Sequence, residues 1–323
     1  YYLSGPFFGN YRENGRIDLS LVGNFVNYER GNSLTGNIVS LRPNVSYSYL
    51  KPFLNVRTKF EIQHNQYWLD DPNRTFDDSE SYTIPKISID AKLFSERNLL
   101  FGDTNYLQTL EPRLFYLLVP NMDFDHIPNF GTGLYDNSNF GNIFLENRFG
   151  GYARVGDANQ VTAAITSRII DKLNGREKVR FSIGQIYYFR DRKVTLPGGL
   201  IDREDTSELL VETVASPTNA FSLRGNLKWD PDKGRASKSG ISLRYQPNMD
   251  TVFNLRYRHR KARSIFQQDI SQTDLSARIP IRNNLALIGR WNYSLEENES
   301  VETFGGIEFE SCCWGAKLIA RRF

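Results

Sequence analysis

The chain has 323 residues, with 24 Gly, 13 Pro, 17 Tyr and 22 Phe against 2 Met, 3 His and 2 Cys; this is a strand-and-turn composition, and no stretch approaches the ~18 consecutive apolar residues that a membrane-spanning helix needs. Forty basic against 37 acidic side chains leave a net charge of +3 at 40% hydrophobic residues and a mean hydropathy of -0.48. That balance excludes a disordered tail and a bundle of membrane helices, and it supplies no strongly basic face for nucleic acid.

The opening Tyr1-Tyr2-Leu3-Ser4 carries neither an initiator Met nor a basic-then-apolar leader, so an interior or mature segment is expected. From there the dominant signal is period-2 alternation. Near 37–49, Val39, Leu41, Val45, Tyr47 and Tyr49 alternate with Ser40, Arg42, Asn44, Ser46 and Ser48. Near 53–66, Leu54, Val56, Phe60 and Ile62 alternate with Asn55, Arg57, Lys59, Glu61 and Gln63. Near 178–189 the apolar set is Val179, Phe181, Ile183, Tyr187 and Phe189.

In chain order the pattern predicts about fifteen strands, beginning near residue 16 and including 81–94, 104–119, 159–170, 207–215, 220–229 and 239–246. The last five are expected near 251–260, 270–279, 285–294, 301–309 and 313–322. Many approach the ~9–11 residues that a tilted strand needs to cross a hydrocarbon core. Connections alternate in length. Long ones fall at 28–36, 67–80, 120–158, 190–206, 230–238, 261–269 and 295–300, and tight ones at Leu50-Lys51-Pro52, Ser216 to Asn219, Pro247 to Asp250, Pro280 to Asn284 and Glu310-Ser311. Those at 95–103 and 171–177 read as looser.

This asymmetry is that of an antiparallel up-and-down transmembrane β-barrel, with short periplasmic turns and long outer loops. A soluble sandwich also alternates, but aromatic placement favours the barrel. Tyr67-Trp68, Trp229 and Trp291 to Tyr293 lie toward the long loops, and Tyr47, Tyr49, Tyr245 and Trp314 toward the short turns, as two interfacial girdles would. Fifteen is odd where bacterial single-chain barrels are even, so a partial barrel is expected, with residues 1–323 forming one segment of it.

Basic residues recur on the polar faces of the expected strands. They include Arg57, Lys59, Lys178, Arg180, Arg244, Arg278 and Arg290; Arg224, Lys228, Arg256, Arg258 and Arg260 are the luminal candidates, and the Arg256, Arg258, Arg260 stripe has no acidic residue in its own strand. Guanidinium groups fork onto phosphate and carboxylate, which suits a polyanionic cargo; the plainer alternative is the charged wall of any water-filled barrel. His64, His126 and His259 are scattered, and no metal spacing, phosphate loop or nucleophile elbow occurs. Neither metal, cofactor nor enzymatic activity is expected. Cys312 and Cys313 are adjacent, at the start of a strand after a short turn. A bond between neighbours demands unusual geometry, so each is expected to seek a partner elsewhere.

Several segments together resemble one family, the lipopolysaccharide-assembly protein LptD of Gram-negative outer membranes. They are Gln108-Thr109-Leu110-Glu111-Pro112-Arg113 with Tyr116, Glu146-Asn147-Arg148-Phe149, Gly156 to Gln160, Thr166-Ser167-Arg168, Ser182 to Phe189, and Ser311-Cys312-Cys313-Trp314. The resemblance implies the later part of a 26-stranded outer-membrane barrel that follows a periplasmic jelly-roll domain, here absent. It also implies a lumen plugged by the lipoprotein LptE, contact with a periplasmic lipopolysaccharide bridge protein through the jelly roll, and delivery of lipopolysaccharide into the outer leaflet. It further implies disulfides from Cys312 and Cys313 to the jelly-roll side, and a structural luminal role for the Glu111, Pro112, Arg113 signature. The segment 120–158 is expected to fold back into the lumen. The rival reading, a porin-like anion-selective channel, fits the strands and the basic residues but gives no reason for adjacent cysteines.

Overall fold

The computed structural model describes residues 2–12, 15–29, 34–135, 139–151, 153–262 and 268–322. Among these residues seventeen strands belong to one sheet. In order they are β1 (Tyr2–Arg12), β2 (Gly15–Tyr28), β3 (Thr35–Lys51), β4 (Leu54–Asp70), β5 (Ser79–Leu93), β6 (Ser95–Phe101), β7 (Thr104–Val119), β8 (Ala158–Asp171) and β9 (Glu177–Tyr188). They continue as β10 (Leu209–Ala215), β11 (Phe221–Asp230), β12 (Arg235–Tyr245), β13 (Val252–Arg260), β14 (Ile270–Arg282), β15 (Leu285–Ser294), β16 (Glu299–Glu310) and β17 (Gly315–Arg322). The described registers are antiparallel between successive strands, with β7 meeting β5 beyond β6. The fold is all-β and up-and-down, as the alternation implies.

Two strands exceed the expectation, each for a local reason. Gly5, Pro6 and Gly9 hide the alternation of β1, which the sheet accommodates by a register shift between Pro6 and Phe8 against β2; proline lacks the ladder donor and is tolerated at such irregularities. The charged run Ser95-Glu96-Arg97-Asn98 disguises β6, so the connection expected over 95–103 shrinks to a turn at Gly102-Asp103, where Gly102 takes a φ of 60°. The connection after β8 is also compact. The Asp171 carboxylate accepts from the Leu173 N–H at 2.9 Å, and the Gly175 N–H donates to the Asp171 carbonyl at 2.8 Å. The last turn starts later than expected: β16 ends at Glu310 and β17 begins at Gly315, which puts both cysteines in the turn.

The two sheet faces differ chemically in the sense opposite to a soluble protein. In β3 and β4, Leu41, Val45, Phe60 and Ile62 are exposed, whereas Ser40, Ser46, Glu61, Gln63 and Asn65 are buried. In the later strands Ile241, Leu255, Leu275, Ile279, Leu287 and Ile307 are exposed. A bare apolar face opposite a polar one is what a strand wall in lipid requires. Trp68, Trp229, Tyr245, Trp291 and Trp314 are exposed, as the girdle expectation requires. Tyr67 corrects that expectation. Its parity turns it to the packed side, where it is fully buried and its hydroxyl donates to the Ala153 carbonyl at 3.1 Å.

The chain divides into two compact units. One comprises residues 1–95, 111–165 and 184–207, and the other residues 96–110, 166–183 and 208–323. In the first unit an apolar core lies between the packed side of the strands (Ile38, Tyr67, Leu69, Tyr82, Ile84, Phe115, Leu117) and the connections that follow β7 and β9 (Phe124, Ile127, Phe149, Val155, Val194). In the second unit the corresponding face carries rows of ion pairs.

Candidate functional site

In the first unit the described residues of the segment 120–157 fold onto the polar side of the strands. Beside the apolar core, its anchor to the wall is ionic. Glu146 accepts from Lys59 at 2.7 Å and from the Ser88 hydroxyl at 2.8 Å, while Lys59 and Lys86 both meet Glu61, at 2.7 and 2.6 Å. Glu61 and Lys86 face each other across β4 and β5. A 3-10 turn at Phe140–Phe144 inserts fully buried Ile143 beside the sheet, and the Thr162 hydroxyl donates to the Ile143 carbonyl at 2.9 Å. Gly184 makes room for it: a Cβ there would meet Ile143 Cδ1 and Ala164 Cβ at 2.9 Å.

The next residues form a knot. Asn147 Oδ1 accepts from the Gly156 and Phe149 N–H groups, and its amide donates to the Arg154 carbonyl at 2.9 Å. Arg148 forks onto the Asp157 carbonyl and carboxylate and also donates to the Val194 carbonyl. Asp157, with no exposed side-chain surface, further accepts from the Lys193 and Val194 N–H groups at 2.9 and 3.0 Å. Burial pushes the Asp157 carboxyl pKa up, but the Arg148 hydrogen bond, the two N–H donors and the Arg148 charge outweigh it and hold the pKa below the ordinary aspartate value. Gly156 is required by contact, since a Cβ would sit 2.5 Å from Arg148 Nη1.

The Glu111-Pro112-Arg113 signature lies in β7. Arg113 makes a two-pronged pair with Asp90 of β5 at 2.8 and 2.9 Å and stacks over the Phe144 ring at 3.6 Å. Nearby, the Tyr116 hydroxyl donates to Asn159 Oδ1 at 3.0 Å. In the second unit Gln108 accepts from Arg97 and donates to the Ser167 hydroxyl, which in turn donates to the Thr109 carbonyl at 3.0 Å.

The luminal candidates all lie in the second unit, on one face of β11 to β13, but they are not equivalent. Ser242 is the register partner of both Arg224 and Arg256, and Gly240 that of Asn226 and Arg258. Arg224, Arg244, Arg256 and Arg258 line a groove of about 480 Å3 with Ser222, Asn226, Ser242 and Asn254. Arg260 lies beyond it. Lys228 is buried and bonded to Glu208 at 2.6 Å, a committed ion pair rather than a free cation. Arg244 belongs to the same polar-face set, and the register brings it beside the other three.

Cys312 and Cys313 are exposed in the turn between β16 and β17, unbonded, with Sγ atoms 3.0 Å apart. The Ser311 N–H donates to the Trp314 carbonyl at 2.9 Å and closes the turn behind them.

A family model described as "LptD: LPS transport system D" matches residues 6–285. The chain belongs to the LptD family. It is 34% identical over 309 residues to the LPS-assembly protein LptD of Nitrosococcus oceani, covering 95% of this chain and 41% of that one. To the LptD of Alkalilimnicola ehrlichii it is 37% identical over 291 residues, 89% of this chain and 38% of that one. To that of Pseudomonas aeruginosa it is 33% identical over 326 residues, 89% and 35%. The chain thus spans roughly two fifths of the length of these relatives. Among solved structures it is similar to the ferric enterobactin receptor of Pseudomonas aeruginosa, with a TM-score of 0.35 and 11% identity over 94% of this chain and 53% of that one; a likeness this loose says nothing of function. Membership of the LptD family places the chain in the Gram-negative outer membrane and does not favour the porin-like alternative.

Proposed function

We propose that this chain is barrel wall of an outer-membrane translocon that delivers lipopolysaccharide into the outer leaflet. The observation that carries the reading is the family match over residues 6–285. It is supported by the placement of the family's motif residues, which tie an inward-folded segment to the strand wall at Glu146 and Gly184 and to the connection after β9 at Arg148 and Asp157. The apolar face meets the lipid bilayer and the polar face the lumen. On this reading no covalent bond is made or broken, and residues 1–323 act as one segment of the barrel.

The partners follow from the same reading: the LptE lipoprotein as lumen plug and the periplasmic bridge protein through the jelly-roll domain of the full-length protein. Cys312 and Cys313, exposed at a turn with no cysteine elsewhere in this chain, are the anchor of disulfides to that domain. Glu111, Pro112 and Arg113 serve structurally on the luminal wall, which the Arg113 to Asp90 fork supports.

Depletion of the full-length protein in its host tests the proposal. Newly made lipopolysaccharide is expected to stop reaching the cell surface, as read by a surface-restricted modifying enzyme. Undiminished arrival at the surface would overturn the reading.

A further inference from the structure

The basic residues on the polar face of the second unit fall into two populations. Over β14 to β17 four of them are answered by carboxylates. Arg278 meets Glu308 at 3.1 Å, Arg290 meets Asp274 and Glu302, Lys317 meets Glu308 at 3.1 Å, and Arg321 meets Glu302. Over β11 to β13 the four groove arginines have no carboxylate partner among the described residues. Arg258 donates to the Gln272 amide oxygen at 3.0 Å and Arg244 to that of Gln246 at 2.8 Å. Asp274 lies opposite Arg256 in register, but its carboxylate is taken by Arg290.

Four guanidinium groups with no ion pair of their own stand around one groove, and its lining contains no acid, so the potential there is positive. The floor is small and polar. Ser242 separates Arg224 from Arg256, whose Cα atoms are therefore about 10 Å apart across two strand spacings. Gly240 has no side chain, and the Asn226 amide lies over it, with Oδ1 2.7 Å from where a Cβ would stand, so the groove floor there is backbone covered by an amide. Hydroxyl and amide groups at Ser222, Asn226, Ser242 and Asn254 add donors and acceptors suited to sugar hydroxyls.

We infer that Arg224, Arg244, Arg256 and Arg258 form a binding station for a phosphate or carboxylate group carried on a saccharide. The guanidinium fork matches both anions bidentately. A protein partner fits less well, because interface cores are rich in aromatic and apolar anchors, and this groove is lined mainly by arginines and small polar residues. The inference rests on lipopolysaccharide being the cargo, and it names where on the wall the anionic groups of that cargo dwell.

The test places a photo-crosslinking amino acid at Ser222, on the groove, and separately at Phe304, on the same face of β16, in the full-length protein in cells. Lipopolysaccharide adducts are expected at Ser222. They fall by about tenfold or more in the Arg224→Gln, Arg256→Gln, Arg258→Gln triple variant, because each charge-assisted bond is worth at least that factor. The corresponding Lys triple recovers part of the signal, and heat-modifiable gel mobility confirms folding of each. An adduct at Ser222 that the Gln triple leaves unchanged overturns the inference, as does a polypeptide adduct in its place. Adducts at Phe304 with none at Ser222 also overturn it while leaving the cargo reading intact. If neither position yields adducts and surface lipopolysaccharide survives depletion, the cargo reading has failed. Pyrophosphate binding to the purified full-length protein then decides the station: saturable binding lost in the Gln triple keeps it, and no binding removes it.

Discussion

Replacing Asp157 by alanine isolates the knot that holds the inward-folded segment. The substitution orphans the Lys193 and Val194 N–H groups and removes the carboxylate facing Arg148. The buried Val194 donor left without its acceptor costs roughly 1–3 kcal/mol, and the partly buried Lys193 donor less. The Arg148 contribution is discounted because that side chain keeps about a quarter of its surface in solvent, 24%. About 3 kcal/mol of local stability should disappear, which is roughly a 150-fold rise in opening. Hydrogen exchange on the full-length protein in nanodiscs reads this directly at amides 193 and 194, with heat-modifiable mobility showing an intact barrel. Unchanged protection at those amides would refute the reasoning. The pH dependence has a defined sign. A carboxyl whose folded pKa is depressed lends stability that is full above its unfolded value and is lost as pH falls through the folded one. Protection at 193 and 194 should therefore be flat from neutrality down to about the ordinary aspartate value of ~3.9 and decline only below it.

The face assignment predicts an asymmetry between neighbours: Leu255→Arg, on the apolar face, should cost about 2–4 kcal/mol and lower the yield of folded barrel, whereas Asn254→Arg on the polar face should not. Gly184→Val should displace Ile143 at a cost of about 1–3 kcal/mol, seen as faster proteolysis within 139–151 without loss of barrel mobility. Lys86→Met should destabilise less than the ~3–5 kcal/mol of a broken buried pair, because Lys59 still answers Glu61 at 2.7 Å; denaturant melts of Lys86→Met, Lys59→Met and the double variant would show it. If the disulfide proposal holds, Cys312 and Cys313 of the intact protein resist alkylation until reduced; both alkylating without reductant in folded material would remove it.

Fold class was legible because period 2 with opposite chemistry on the two sides is a direct imprint of a wall between water and lipid. The alternation placed most strands to within a few residues. Its failures were local: glycine and proline masked β1, and a charged run masked β6, whose residues are mostly exposed. The site was less legible because it depends on register. That Glu61 meets Lys86, that Arg244 joins Arg224 and Arg256 around one groove, and that Lys228 is already committed to Glu208 all follow from which residue stands opposite which. The motif residues were visible as a resemblance, but the reason for Gly156 and Gly184 emerged only from the side chains that crowd them.

The inverted chemistry of the two faces also reshapes how this chain tolerates mutation. In a water-soluble domain, accessible positions accept change and packed ones resist it. Here accessible Leu41, Phe60, Leu255 and Leu275 must remain apolar to stay in oil, and the buried polar side carries the constraints of ion pairing and close contact. A deep mutational scan should therefore show its permissive positions at loop tips and turns, such as Met249, Leu173 and Leu200, rather than across the solvent-accessible surface as a whole. Accessibility and tolerance, usually correlated, would be uncoupled along every strand.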